Sequence, residues 1–205
     1  MTILTQDTDL RVRKVGAEHR DAVAAAITAG FFDDPVTVWL LPDECRRAEI
    51  LEPLFRLYVD AYIPHDELYL AADGAGTAVW LPPGHKLLSP EGEEAYGAKV
   101  VEIAGPDADR LFQLEETFAV YHPMAPHYYP NFVSVAPWAQ GRGIGTALLR
   151  TVLDRADEEG VPSYLESTSP RNRRLYERLG YVCQGEFTLP DGGPRLSQMW
   201  REPQV

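Results

Sequence analysis

Cysteine is nearly absent: the 205 residues contain two, Cys45 and Cys183. Two thiols so far apart do not make the framework of a disulfide scaffold, so a reducing compartment, the cytoplasm, is the expected location. No run approaches the roughly 20 consecutive apolar residues that a membrane span needs, and no membrane partner is expected. The segment from Met1 to Arg13 carries Asp7, Asp9, Arg11 and Arg13 with no apolar h-region, so no secretory leader is expected either. Basic charge is also scarce. Nineteen Lys and Arg stand against 31 Asp and Glu, a net charge of −12. Phosphate backbones need a basic surface, which argues against nucleic acid as a partner. An acidic chain steers cationic ligands toward itself, although solubility alone accounts for such a balance.

What is present is ordinary for a folded protein: 45% apolar and 24% charged residues. The length suits one core, and a single domain over residues 1–205 is expected. The patterning predicts a strand over Leu10 to Val15 and a helix over Ala17 to Phe32. Asp33-Asp34-Pro35 ends that helix, since the residue before proline avoids the helical region. A second helix over Cys45 to Tyr62 carries Ile50, Leu54, Leu57 and Ala61 on one face. Leu68 to Leu70 and Thr77 to Leu81 form a hairpin around Asp73-Gly74-Ala75-Gly76, and Pro82-Pro83-Gly84 stops it. Weaker helical stretches cover Glu91 to Ile103 and Asp107 to Val120. Then follow a strand over Tyr128 to Val135, a helix over Gly143 to Glu159 and a strand over Val161 to Ser167. A short helix over Pro170 to Leu179 and strands over Tyr181 to Leu189 and Leu196 to Trp200 complete the chain. This order predicts an α/β fold with a mixed, mostly antiparallel sheet flanked by helices.

The chemistry concentrates between Val135 and Thr146. A strand runs into Gln140-Gly141-Arg142-Gly143-Ile144-Gly145-Thr146, and the turn opens an amphipathic helix lined by Ala147, Leu148, Thr151, Val152 and Ala156. The first turn of a helix leaves backbone N–H groups without partners, and the helix dipole adds about half a positive charge there. That end is a site for phosphate or pyrophosphate. Glycines at 141, 143 and 145 let a ligand approach the backbone, and Arg142 offers a cation. The P-loop signature Gly-Lys-Ser/Thr is absent. The dinucleotide fingerprint needs a third glycine; the two possible registers place Thr146 or Leu148 there. Glu166, at the end of the next strand, is the one feature that keeps the dinucleotide alternative open.

Gln140-x-x-Gly143-x-Gly145, preceded by Val135-x-Pro137, resembles the acetyl-CoA pyrophosphate loop of the GNAT superfamily of N-acetyltransferases. The block from Glu166 through Pro170, Asn172 and Tyr176 to Gly180-Tyr181 is similar to that superfamily's C-terminal motif. Its Leu-Glu-Ser-Thr-Ser-Pro-Arg-Asn stretch, with Ala78-Val79-Trp80, more closely resembles puromycin N-acetyltransferase and its actinobacterial relatives. The resemblance covers about residues 128 to 182. It implies acetyl-CoA as cosubstrate, no metal, and a splayed central strand pair. It also implies direct attack by a small-molecule amine on the thioester in a ternary complex. It further implies a bulged fourth strand, here Phe132 to Val135, whose backbone at Val133, Ser134 and Val135 serves the acetyl oxygen and pantetheine arm. Asn172 faces the cofactor and Tyr176, one turn later, serves the departing thiolate.

A protonated amine must lose a proton before it attacks. Glu166 is the first candidate base, His127 and His122 the next. As metal ligands the two histidines lack a third partner. Phe31, Phe32, Trp39, Tyr58, Trp80 and Tyr129 are candidates for an apolar acceptor pocket. A protein or peptide N-acetyltransferase and a non-catalytic acetyl-CoA-binding protein stay as alternatives. The sequence leaves monomer and homodimer equally open.

Overall fold

The computed structural model describes residues 11–71 and 74–204. Leu10 and Asp73, at the edges of the first expected strand and hairpin, lie outside those residues. The elements run β1 (Val12–Val15), α1 (Arg20–Phe31), α2 (Pro35–Leu40), α3 (Glu44–Tyr62), β2 (Leu68–Ala71) and β3 (Gly76–Leu81), then α4 (Pro90–Ala104) and α5 (Ala108–Tyr121). They continue with β4 (Tyr129–Val135), α6 (Ile144–Glu159), β5 (Ser163–Ser167), α7 (Pro170–Arg178), β6 (Val182–Thr188) and β7 (Arg195–Arg201).

Two departures from the sequence reading have local causes. Ala17–His19 forms a separate 3-10 turn, so the first α-helix starts only at Arg20. Asp33-Asp34-Pro35 does more than end α1: it starts α2. The Asp34 side chain accepts the Val36 N–H at 2.9 Å, and Pro35 occupies the first helical position, where its missing N–H costs nothing.

The strands form two antiparallel sheets, β1-β2-β3-β4 and β5-β7-β6. They meet where β4 begins. Tyr128 and Ser163 make one parallel bridge, with Tyr164 N–H donating to Tyr128 O at 3.0 Å. Beyond it β4 and β5 diverge, which leaves one edge of β4 unpaired. This is the splayed central pair. On its other edge β4 is bulged: Trp80 pairs with Pro130 and Val79 with Phe132, so Asn131 has no partner on β3, and the bulge falls just before the expected Phe132 to Val135, which pair regularly with β3.

Period-two alternation divides the interior between two cores. Leu68, Leu70 and Val79 face α1, α3, α4 and α5. Tyr69, Ala71, Ala78 and Trp80 face α6, α7 and the second sheet. Covered on both sides, β2 is buried at every position. Trp80 is therefore fully enclosed on the α6 side, which removes it from the expected acceptor pocket. The hairpin of β6 and β7 packs Phe187, Leu189 and Leu196 on Val36 of α2.

Helix α1 crosses β4 at very short range. A Cβ on Gly30 would lie 2.1 Å from Ser134 Oγ, and that hydroxyl donates to Ala26 O at 2.6 Å. The close crossing brings Gly30, Phe31 and Asp34 to the mouth of the splay.

Candidate active site

A cleft of about 380 Å³ opens between the unpaired edge of β4 and the N-terminal ends of α6 and α7. Its floor is Val133, Ser134 and Val135. One wall is the glycine-rich turn and the first turn of α6, the other is α7, and the α1–α2 corner closes the end.

The turn has the conformation its glycines permit. Gly141 has φ +79° and Gly143 has φ +85°, both in the left-handed region. No side chain caps α6, and its first helical bond runs from Ala147 N–H to Gly143 O. The N–H groups of Ile144, Gly145 and Thr146 thus stay free at the cleft, as an anion site requires. Gln140 fixes the turn: its amide donates to Val135 O at 3.1 Å and accepts from Arg171 at 2.7 Å.

Helix α7 supplies charge and a hydroxyl. Ser169 caps it by accepting the Asn172 N–H at 3.2 Å, after which Pro170 takes the first position. Asn172 and Tyr176, four apart, both line the cleft. So do Arg171, Arg174 and Arg178, a helical stripe that the sequence reading overlooked. Arg142 is exposed and is not among the lining side chains; the cations at this cleft come from α7. The donor set fits a pyrophosphate carrying an extended amide arm. Free N–H groups and arginines meet the phosphates, and the open edge of β4 offers strand-like pairing to the arm.

Tyr176 is 8% exposed and packs edge-on against Tyr181 at 5.8 Å. Among the described residues its hydroxyl has no hydrogen-bond partner. Burial, followed by the Asp34 charge, raises its pKa above the usual phenol range, so it holds its proton at neutral pH. Asp34 lines the same end of the cleft and accepts from Thr168 Oγ1 at 2.6 Å. Burial raises its carboxyl pKa against the opposing hydrogen bonds from Thr168, Val36 and Thr37. The Asp-Pro pair before Val36-Thr37-x-Trp39-Leu40 was the available signal for this residue.

Glu166 sits beyond the cleft, inside the splay. Its side chain is 3% exposed, and Tyr129 donates to Oε2 at 2.8 Å. Among the described residues Oε1 has no hydrogen-bond partner; His122 Nδ1 stands 3.9 Å away. The hydroxyl of buried Tyr164 is likewise without a hydrogen-bond partner among the described residues. Both atoms lie on β5, and a water or another polar group is needed to complete their hydrogen bonding. His127 is 7% exposed and packs on Tyr164 and Trp200 in the same aromatic cluster. Its Nδ1 lies 2.6 Å from Ala125 O, and burial lowers its pKa, keeping the ring neutral. Like Glu166, His127 does not line the cleft. Among the described residues no group of three or more His, Cys, Asp or Glu is placed to hold a metal.

Of the other expected pocket residues, Phe31 lines the cleft and Tyr58 and Tyr129 belong to the aromatic half around Phe132 and Glu166. Phe32 lies under Arg47, and Trp39 under Arg110, both outside the cleft.

The family model of the Acetyltransferase (GNAT) family matches residues 117–181, from the end of α5 past α7. An uncharacterised N-acetyltransferase of Schizosaccharomyces pombe is 27% identical over 218 residues, covering 96% of this chain and 85% of its own. Among solved structures, one from Corynebacterium glutamicum is described as histone acetyltransferase HPA2 and related acetyltransferase. It superposes with a TM-score of 0.71 at 27% identity, covering 95% of this chain and 96% of its own. Arylalkylamine N-acetyltransferase 2 of Aedes aegypti gives a TM-score of 0.68 at 16% identity, over 95% of this chain and 99% of its own. A polyamine N-acetyltransferase of Drosophila melanogaster gives 0.63 at 17%, over 94% and 99%. The fold is the GNAT fold. The family model and the relatives support an acetyltransferase of the GNAT superfamily, whose typical cosubstrate is acetyl-CoA.

Proposed function

We propose that this protein acetylates the primary amine of a small cationic molecule, by direct transfer from acetyl-CoA in a ternary complex. The observation that carries this reading is Glu166: a buried carboxylate with a free oxygen, set inside the splay beside the cleft. Acetyl-CoA, when bound, supplies the acetyl group as a thioester. The residues to hold it are the N–H groups of Ile144, Gly145 and Thr146, the α7 arginines, Asn172 and the backbone of Val133 to Val135. Glu166 attracts the ammonium form of the acceptor and takes its proton at Oε1, leaving the nitrogen lone pair free to attack. Backbone donors of Val133 to Val135 on the open edge of β4 steady the negative charge that develops on the acetyl oxygen. Tyr176 gives its hydroxyl proton to the departing sulfur, and the second proton shed by the acylated nitrogen restores the tyrosine hydroxyl.

A panel of amines in a thiol-release assay, with wild type and Glu166→Gln, tests the reading. The panel holds aminonucleosides, given the resemblance to puromycin N-acetyltransferase, with aminoglycosides, polyamines, arylalkylamines, amino acids and peptides. Loss of the base lowers kcat and flattens the acidic limb of the pH–rate profile. Loss of an anchor alone raises the amine KM. Normal kinetics of the variant at every pH would remove Glu166 from the chemistry. Turnover confined to peptides would replace a small-molecule acceptor with a protein one.

A further inference from the structure

Strand β5 is tied to the first half of the chain at three alternate positions, and the reach of each tie grows as the splay opens. At the narrow end Tyr164 N–H donates to Tyr128 O at 3.0 Å, backbone to backbone. Two residues on, a side chain makes the connection: the Tyr129 hydroxyl donates to Glu166 at 2.8 Å. Two residues further, just past the end of β5, the partner is no longer β4. The Thr168 hydroxyl crosses to the α1–α2 corner and donates to Asp34 Oδ2 at 2.6 Å. Thr168 continues the even-numbered series of Tyr164 and Glu166, at about 7 Å per step of an extended chain.

This last tie stands between the two halves of the site. Asp34 lines the cleft with Tyr176, and its charge acts on the Tyr176 hydroxyl. Thr168 is two residues from Glu166, which lies beyond the cleft. On its other side Ser169 caps α7 by accepting the Asn172 N–H at 3.2 Å. Thr168 is therefore the pivot between Glu166 and the helix that carries Asn172 and Tyr176.

The anchor for that pivot is firm. The Asp34 carboxylate uses both oxygens, Oδ1 accepting the Val36 N–H at 2.9 Å while Oδ2 accepts from Thr168. Pro35 fixes the backbone beside it, and Val36 is buried against Phe187, Leu189 and Leu196. Transfer needs the reacting atoms about 3–3.5 Å apart, and a misplacement of about 1 Å costs up to about 10²-fold in rate. A tie that fixes the end of β5 at the cleft acts on that distance.

Building on the acetyl-transfer reading, we infer that Asp34 and Thr168 are a positioning pair for the reaction. Their hydrogen bond holds the end of β5 against the cleft, so that an amine at Glu166 and a thioester beside Tyr176 come within reach of each other. Neither residue exchanges a proton with a reactant; the pair acts through Glu166 and α7.

The test deletes the hydroxyl with Thr168→Val, which keeps the branched shape, and retains it with Thr168→Ser. Single-turnover thiol release is followed on the full chain with acetyl-CoA and with tyramine, spermidine and puromycin as amine probes; calorimetry gives acetyl-CoA affinity. In Thr168→Val the rate falls by roughly 10-fold or more while the acetyl-CoA Kd stays within about twofold, since the groups of α6 and β4 are untouched. Thr168→Ser keeps the wild-type rate. Asp34→Asn still caps α2 and offers Thr168 a neutral group in place of a charged one; it is the second variant should Thr168→Val not fold, and its rate falls in the same direction by less. A wild-type rate in folded Thr168→Val, whatever its Tm, reduces the tie to fold stabilisation and overturns the inference while acetyl transfer stands. So does an equal loss in Thr168→Ser, which would trace the effect to the methyl, or a Kd that rises in step with the lost rate, which would place the pair in cosubstrate binding. Acetyl-CoA binding by wild type without turnover of any amine probe overturns the small-molecule acetyl-transfer reading and this inference together.

Discussion

Replacing Gly30 with alanine strikes the contact that positions the cleft. The new Cβ would sit 2.1 Å from Ser134 Oγ, 3.2 Å from Ser134 Cβ and 3.2 Å from Val135 N. Rotating the Ser134 side chain away relieves the first clash but breaks its 2.6 Å bond to Ala26 O. A lost buried hydrogen bond costs about 1–3 kcal/mol. The two remaining contacts force α1 away from β4, and overpacking of this kind costs about 1–3 kcal/mol more. The sum is roughly 2–6 kcal/mol; at about 2–4 °C per kcal/mol for a chain of this size, Tm falls by at least about 4 °C. Acetyl-CoA affinity falls too, because Ser134 and Val135 form the cleft floor. Calorimetric melting and titration check both effects. Ser134→Ala removes the nearest atom, so Gly30→Ala costs less in that background, and the cycle isolates the contact. A Tm within about 1 °C of wild type for Gly30→Ala alone would refute the close crossing.

Three further outcomes follow from the same geometry. Tyr176→Phe, which deletes a hydroxyl with no hydrogen-bond partner among the described residues, lowers kcat by roughly 10²-fold with little change in Tm; an unchanged kcat, with chemistry rate-limiting, would leave Tyr176 a packing residue. Gly143→Val forces a β-branched residue to φ +85° at the start of α6 and weakens acetyl-CoA binding in calorimetry; undiminished affinity in the folded variant would take the turn out of the site. Asp157→Ala strands Arg201, whose side chain is 3% exposed, and costs about 3 kcal/mol or more at neutral pH. The Arg201 hydrogen bond, against a smaller opposing effect of burial, lowers the Asp157 pKa, so this stabilisation is complete above the unfolded value of about 3.9 and disappears as pH falls through the lower folded value. Melting curves of wild type and Asp157→Ala therefore converge in acid; a constant gap down to about pH 2 would contradict the assignment.

The glycine-rich turn, Asn172 and Tyr176 were legible in the sequence because each depends on local pattern: a strand, a turn and a helix in sequence, or two residues one turn apart. Glu166 was legible as a carboxylate at a strand end. What the sequence did not yield depends on pairs distant in the chain. Gly30 gives no sign of Ser134 until α1 is laid on β4, and Asp34 and Thr168, 134 residues apart, meet only across the splay. Asp34-Pro35 was ambiguous for another reason, since the same two residues end one helix and cap the next. The arginines at 171, 174 and 178 had the spacing of a helix face, but only the fold shows that this face meets the cleft. Trp80 followed the rule of aromatic pockets in the sequence and the rule of alternation in the structure, and alternation decided it.

Direct transfer between the cleft and the Glu166 end of the splay is tested most directly by initial-rate kinetics of thiol release with acetyl-CoA and amine both varied. With acetyl-CoA and amine bound together, the double-reciprocal lines intersect, and release depends on the amine at every acetyl-CoA concentration. Parallel lines would indicate an acetylated enzyme in place of a ternary complex, and thiol release independent of amine would contradict the account.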